Sequence, residues 1–202
     1  MKITISGTPG SGKSTIGQRL AKDLKYRRYD MGAMMRRMAH ERGMSLSEFN
    51  RVNEEHDSGD RAVDAWQRKL GKKQISAVIE GRLSFHFIPN SIKIFLAASP
   101  IVGAKRIWSQ LQGANTRNEG SNLRTLAQVK KSVERRMSGD RRRYLKYYGI
   151  NPFLKRHYDL YLDTSRLSPE RVYRKVHDFV VEKVRATATT KQIAKKPNKR
   201  RR

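Results

Sequence analysis

The chain has 202 residues, 45 of them Lys or Arg and 18 Asp or Glu, for a formal net charge of +27. That length suits one domain with its own core, and no apolar run approaches the roughly 18 residues a membrane-spanning helix needs. The absence of cysteine excludes a disulfide scaffold, a Cys-ligated zinc site and a thiol nucleophile, and fits a reducing cytoplasm. Met1-Lys2, a short β-like run and a glycine loop do not make a signal peptide, so a cytoplasmic location is expected.

Residues 2–6 (KITIS) predict a short buried strand, and Gly7 to Gly12 a glycine loop. Ile16, Leu20 and Leu24 fall at i, i+4 spacing and predict a helix from Lys13 to Leu24. A strand near 28–30 precedes Gly32 and a helix through Met34, Met35 and Met38. Ser45 and Glu48 form a capping-box pattern that opens another helix. A polar helix over 60–70 carries Trp66. Buried-type strands follow at Ile75–Ile79 and Ile92–Ala97. Ser99-Pro100 opens a helix to about Leu111 with Ser99 as its cap. After a polar loop, a long basic helix runs from Leu123 to Tyr148, where Gly149 stops it. The alternating run at 158–163 predicts a strand, and Ser168-Pro169 opens a last helix ending near Val184. Strands alternating with helices imply a parallel sheet covered on both faces, with ligands at the carboxyl ends of its strands.

Seven of the last twelve residues (KQIAKKPNKRRR) are basic and none is acidic, so residues 186–202 are expected to form a disordered tail. The rest of the chain stays strongly basic without it. Solubilisation and weak attachment to nucleic acid or a membrane surface are the alternatives for this charge.

Gly7, Thr8, Pro9, Gly10, Ser11, Gly12, Lys13 and Ser14 match G-x-x-x-x-G-K-[ST] in full, followed by Thr15. The glycines let successive backbone N–H groups face a phosphate, and the helix that follows adds its positive end. Lys13 then reaches the β- and γ-phosphates, and the Ser14 hydroxyl can ligate Mg²⁺. Two phosphorylated substrates need several further cations from separate segments. Arg82 directly follows a strand beside this loop, Arg36 lies one turn into the helix after Gly32, and Arg106 and Arg117 lie near or in the polar loop. Arg136 and Arg143 share a helix face, with Asp140 one turn from each. For that trio, an ordinary ion-pair ladder is as good a reading as a substrate site.

With these residues in hand, the chain resembles the archaeal-type cytidylate kinases among the nucleoside monophosphate kinases. The resemblance rests on ISGTPGSGKST (5–15), Gly32 to Arg36, RGMSLSEF (42–49), Asp60-Arg61…Asp64…Gln67, IEGRLS (79–84), Ala104…Arg106-Ile107, Arg136…Asp140…Arg143-Tyr144…Tyr148-Gly149-Ile150, and YDLYLDTS (158–165). It implies an α/β three-layer P-loop NTPase fold with a five-stranded parallel sheet in the order 2-3-1-4-5. It also implies one kinase domain over 1–185, a monophosphate-binding insert at 31–72 and a lid at 108–122. The implied reaction is transfer of phosphate from ATP to CMP or dCMP with Mg²⁺, by a monomer. Carried over by position, Gly32, Arg36 and Arg82 hold the CMP phosphate, and Asp60 and Asp64 contact the acceptor nucleotide. Arg136, Asp140 and Arg143 wall the pocket. The chain departs from the pattern at Gln110, where a second lid arginine is usual and Arg117 is the candidate replacement. It departs again at Met31, at Asn151 and in the basic tail. An adenylate-kinase-like enzyme, another small-acceptor kinase and an RNA-associated P-loop NTPase are the competing expectations.

Overall fold

The structure is a computed structural model that describes residues 1–55, 58–113 and 123–195. Five parallel strands form one sheet in the order β2-β3-β1-β4-β5, as the resemblance implied. They are β1 (Lys2–Gly7), β2 (Arg27–Asp30), β3 (Ala77–Glu80), β4 (Ile92–Ala97) and β5 (Leu160–Asp163). Register brings Ile5 opposite Glu80, Asp30 opposite Glu80, and Gly7 opposite Leu96. The carboxyl ends of β1, β2 and β3 therefore share one edge, and this edge carries the site.

Alternation along the strands assigns the two faces. Ile3, Ile5, Val78, Ile94 and Leu96 pack with Ile16 and Leu20 of α1 (Lys13–Asp23) and Val172, Val176 and Val180 of α8 (Pro169–Lys195). Ala77 and Ile79 point the other way, into a cluster with Val63, Leu70, Leu83, Phe85 and Ile88. That second layer holds α2 (Met31–Glu41), α3 (Leu46–Glu55), α4 (Ser58–Lys72) and the one-turn α5 (Ser84–Phe87). A third cluster of Ala104, Ile107, Val129 and Val133 joins α6 (Pro100–Leu111) to α7 (Leu126–Tyr148). A fully buried aliphatic side chain contributes about 1.5–3 kcal/mol, so these clusters supply most of the drive to fold.

Local signals hold with a few differences. The Ser45 Oγ accepts from the Glu48 N–H at 3.2 Å, and the Ser45 N–H donates to the Glu48 carboxylate at 2.7 Å, closing the predicted capping box. A second box, Thr125 with Gln128, starts α7 three residues later than the apolar pattern suggested. Ser99 does not cap α6 with its side chain. Its backbone N–H is instead taken by the Ser165 hydroxyl at 3.0 Å, which ties the β4 end to the loop after β5. Helix α8 runs eleven residues past Val184, to Lys195. Residues 185–189 (Arg-Ala-Thr-Ala-Thr) hold no Gly or Pro to stop it. Residues 196–202 lie outside the described part. No helix among the described residues is long and apolar enough to cross a membrane.

Candidate active site

The loop after β1 begins where the Thr8 N–H donates to the Leu96 carbonyl at 3.1 Å, and the Ala98 N–H donates to the Thr8 hydroxyl at 2.8 Å. Both bonds anchor the loop to β4. Gly10 and Gly12 adopt φ of 73° and 88°, the left-handed region that favours glycine. A β-carbon on Gly10 would also overlap the Gly103 backbone of α6, so two glycines let loop and helix touch. The Lys13 ammonium donates to the carbonyls of Gly7 and Thr8 at 3.0 and 2.8 Å, curled over the loop it would share with a phosphate. The buried Ser11 hydroxyl has no hydrogen-bond partner among the described residues.

Arg106 of α6 closes the outer side of the loop. Its guanidinium donates to the Gly10 carbonyl at 3.3 Å and to the Thr164 carbonyl at 2.7 Å. Thr164 also contacts the Ala97 carbonyl, so Arg106, loop and β5 end form one unit.

Glu80 ends β3 against the loop. Gly17 of α1 leaves the space that its carboxylate fills, since a β-carbon there would overlap Glu80 Oε1. Arg28 on β2 donates from Nε to the same oxygen at 2.7 Å. Burial pushes the Glu80 carboxyl above its ordinary pKa, and the Arg28 hydrogen bond opposes this. The Ser14 hydroxyl also interacts with the carboxylate, while Oε2 has no hydrogen-bond partner among the described residues. A serine hydroxyl and a carboxylate oxygen with spare lone pairs at the phosphate loop are hard oxygen donors of the kind Mg²⁺ takes. The donor set therefore fits the ion.

A cleft of about 590 Å³ runs from this loop across the carboxyl edge. Beyond Glu80 it is lined by Gly32, Arg36, Arg82 and Arg136. Asp30 caps α2 by accepting from the Ala33 N–H at 3.0 Å and pairs with Arg36 at 3.5 Å. Asp140 lies beneath Arg82 and accepts from it at 2.8 Å. Asp140 also accepts from Arg143 at 3.1 Å, and Arg143 is almost wholly buried, donating to the Asn50 carbonyl at 3.3 Å. Neither Asp140 nor Arg143 lines the cleft in this form. The trio expected as a wall thus divides: Arg136 faces the cleft, while Asp140 and Arg143 underpin Arg82.

At the far end, Asp64 and Gln67 of α4 line the cleft and are buried. Gln67 donates to Asp64 at 3.3 Å and accepts from the Ser84 hydroxyl at 2.5 Å, and Tyr148 donates to Asp64. Met31, Val63 and Leu83 supply apolar lining nearby. The Asp60 side chain and Arg117 lie outside the described residues.

Three residues that sequence reasoning did not assign to the site now sit in it. Glu80 carried a signal, as an acid directly ending a buried strand. Arg28 carried none, because its partner is fixed by strand register. Gln67 fell inside a matching run without a role.

Comparison with known proteins agrees with this geometry. The chain is 39% identical over 186 residues to the cytidylate kinase of Pyrococcus abyssi, covering 90% of this chain and 96% of the relative. It is 34% identical over 173 residues to that of Archaeoglobus fulgidus, covering 85% and 90%. In fold it is similar to an uncharacterised protein from Eubacterium ventriosum (TM-score 0.63, 14% identity, 89% and 98% covered). It is also similar to shikimate kinase from Bacteroides thetaiotaomicron (TM-score 0.59, 14% identity, 89% and 98% covered). The sequence model of the cytidylate kinase-like family matches residues 2–166, the stretch that holds the phosphate loop, every strand and every cleft arginine, and the chain belongs to that family.

Proposed function

We propose that this protein transfers the γ-phosphoryl group of ATP to CMP or dCMP. The observation that carries the reading is one continuous cleft. It has the Lys13 phosphate loop at one end, Arg36 and Arg82 in the middle, and the Asp64–Gln67 floor at the other. Such a cleft can seat a donor and an acceptor nucleotide with their phosphates facing.

A phosphate oxygen of the monophosphate attacks the γ-phosphorus. The bond to the β,γ-bridging oxygen breaks, and ADP leaves. The attacking oxygen is already ionised, so no side chain has to remove a proton. Lys13 and the loop N–H groups hold the donor phosphates, and Arg82 and Arg36 hold the acceptor phosphate. Arg136 faces the space between and can offset charge there. Ser14 and Glu80 would hold Mg²⁺, which supplies charge neutralisation on the donor phosphates when bound. Residues 31–72 are read as the acceptor-binding insert and 108–122 as the lid.

Cytosine fits the floor better than uracil does. A carboxylate only accepts hydrogen bonds. The exocyclic amine of cytosine offers Asp64 a donor, whereas the carbonyl of uracil at the same position would face it with a lone pair. A panel of CMP, dCMP, UMP, AMP and GMP with ATP and Mg²⁺, scored by ADP release, tests the reading. CMP or dCMP should lead. Release led by AMP would favour an adenylate-kinase-like enzyme, and no acceptor-dependent release would overturn the proposal.

A further inference from the structure

The long helix α7 has two basic faces with different surroundings. At 100° per residue, Arg136, Asp140 and Arg143 point inward, toward the cleft and the buried pair beneath Arg82. Lys131, Arg135, Arg142 and Lys146 fall within about 60° of one another on a second face, centred about 120° around the helix from the first, and Arg124 lies just before the helix. All five are exposed. Among the described residues, none of Arg124, Lys131, Arg135 and Lys146 is paired with a carboxylate. The one exposed acid of this helix, Glu134, pairs with Lys130 at 3.6 Å, to the side of the row. The proposed reaction uses none of these outer cations.

We infer that the outer face of α7 is a docking surface for the phosphate backbone of a nucleic-acid duplex. Charge complementarity names the partner. Four cations spread over about 23 Å of helix, with Arg124 just before its start, and a duplex presents about one negative charge per 1.7 Å of its axis. A duplex suits the row better than a single strand does. Single strands are held largely by stacking on aromatic rings, and no aromatic side chain on this face is exposed. Its one exposed large apolar residue is Leu145. Contacts to phosphates carry no sequence information, so binding is sequence-independent. The row is centred about 120° around the helix from Arg136, which lines the cleft, so a docked duplex leaves the kinase site accessible.

Fluorescence anisotropy with a 20-base-pair RNA duplex, a DNA duplex of the same sequence and the single strands tests the inference. The full chain is used, from about 50 to 300 mM KCl. Five neutralised phosphates predict a slope of log affinity on log salt of about −4 to −5. Lys131→Glu/Arg135→Glu/Lys146→Glu should lower duplex affinity at least tenfold and flatten the slope by about three. The control Arg171→Glu/Lys175→Glu/Lys183→Glu on α8 makes the same change in net charge and should lower affinity less than threefold. Equal losses in both variants would show a general effect of net charge and overturn the inference. So would undetectable duplex binding by the unaltered chain at 150 mM KCl, tighter binding of single strands, or displacement of the duplex by poly-glutamate at equal charge. Thermal melting and CMP-dependent ADP release, both unchanged in the α7 variant, separate lost binding from lost folding. The tighter of the RNA and DNA arms identifies the backbone preferred.

Discussion

Asp140 holds the guanidinium of Arg82 at 2.8 Å from below, and only 3% of its own side chain is exposed. The same carboxylate oxygen accepts from the buried Arg143 at 3.1 Å. Arg82 thus reaches the cleft from a loop end, yet its direction is set by a helix more than fifty residues further along the chain. A hydrogen bond to a charged group contributes about 1.5–3 kcal/mol, and this one is shielded from water. Asp140→Asn keeps the shape and removes the charge. We expect KM for CMP to rise about tenfold or more, equivalent to about 1.4 kcal/mol, with KM for ATP within about twofold. Separate titrations of the two substrates check this. An equal rise in both KM values would mean that Asp140 supports the fold rather than the acceptor side.

Arg28 and Glu80 make a second long-range pair, 2.7 Å apart across two strands. Glu80 is 3% exposed in its side chain and Arg28 is 33% exposed, so the arginine lets a buried carboxylate stay charged. Removing one partner of a fully buried pair costs about 3–5 kcal/mol. Solvent beside Arg28 reduces that, and Arg28→Met should cost about 1–2 kcal/mol. For a chain of this size, melting should fall by roughly 2–4 °C per kcal/mol. Adding Glu80→Gln should restore most of the loss, because no buried charge is then left unpaired. Calorimetry on the two single variants and the double variant completes the cycle.

Two histidines tie stability to pH. Burial is the main reason that His86 and His157 lie below the ordinary histidine pKa of 6.5, with Arg68 and Arg156 respectively adding repulsion. His157 also stacks on Phe85, with ring centroids 5.2 Å apart. A histidine held low in the folded state protonates first in the unfolded chain. Its contribution is therefore complete above pH 6.5 and is lost as pH falls through the folded-state values. The melting temperature should stay level from about pH 8 to 7 and decline toward pH 5. His86→Gln/His157→Gln should flatten that decline. Glu48, Asp163 and Glu170 are held low by their hydrogen bonds, so they begin to matter only below this window.

What could be read from the sequence follows from the range of the forces involved. The phosphate loop, the capping box at Ser45 and the position of Arg82 at a strand end depend on neighbours within a few residues. Each was legible. The shared edge of Asp30, Glu80 and the loop depends on strand order, which the family resemblance implied and periodicity alone could not. The division of Arg136 from Asp140 and Arg143 depends on how α7 is rotated against α3 and α6. Seven-residue spacing put both arginines on one side of the helix, but it could not say which reaches the cleft. Arg28 looked like any other exposed cation in a basic chain, since only the pairing of β2 with β3 brings it to Glu80.

Base choice gives the sharpest test of the cleft's far end. Asp64 accepts from Gln67 and Tyr148, and Ser84 fixes Gln67 in turn, so the carboxylate is held from its own helix and from α5 and α7. Cytosine and uracil differ there by an amine in place of a carbonyl. A site built to accept a hydrogen bond rejects an analogue lacking the donor by large factors, because its buried acceptor is left unmatched. Asp64→Asn can turn its amide to meet either base. We expect the ratio of kcat/KM for CMP over UMP to fall about 100-fold, or roughly 2.7 kcal/mol in relative transition-state binding. Both acceptors are turned over by the same preparation, so any loss of folded protein cancels from the ratio. A ratio unchanged by Asp64→Asn would remove Asp64 from base selection and leave it a packing role alone.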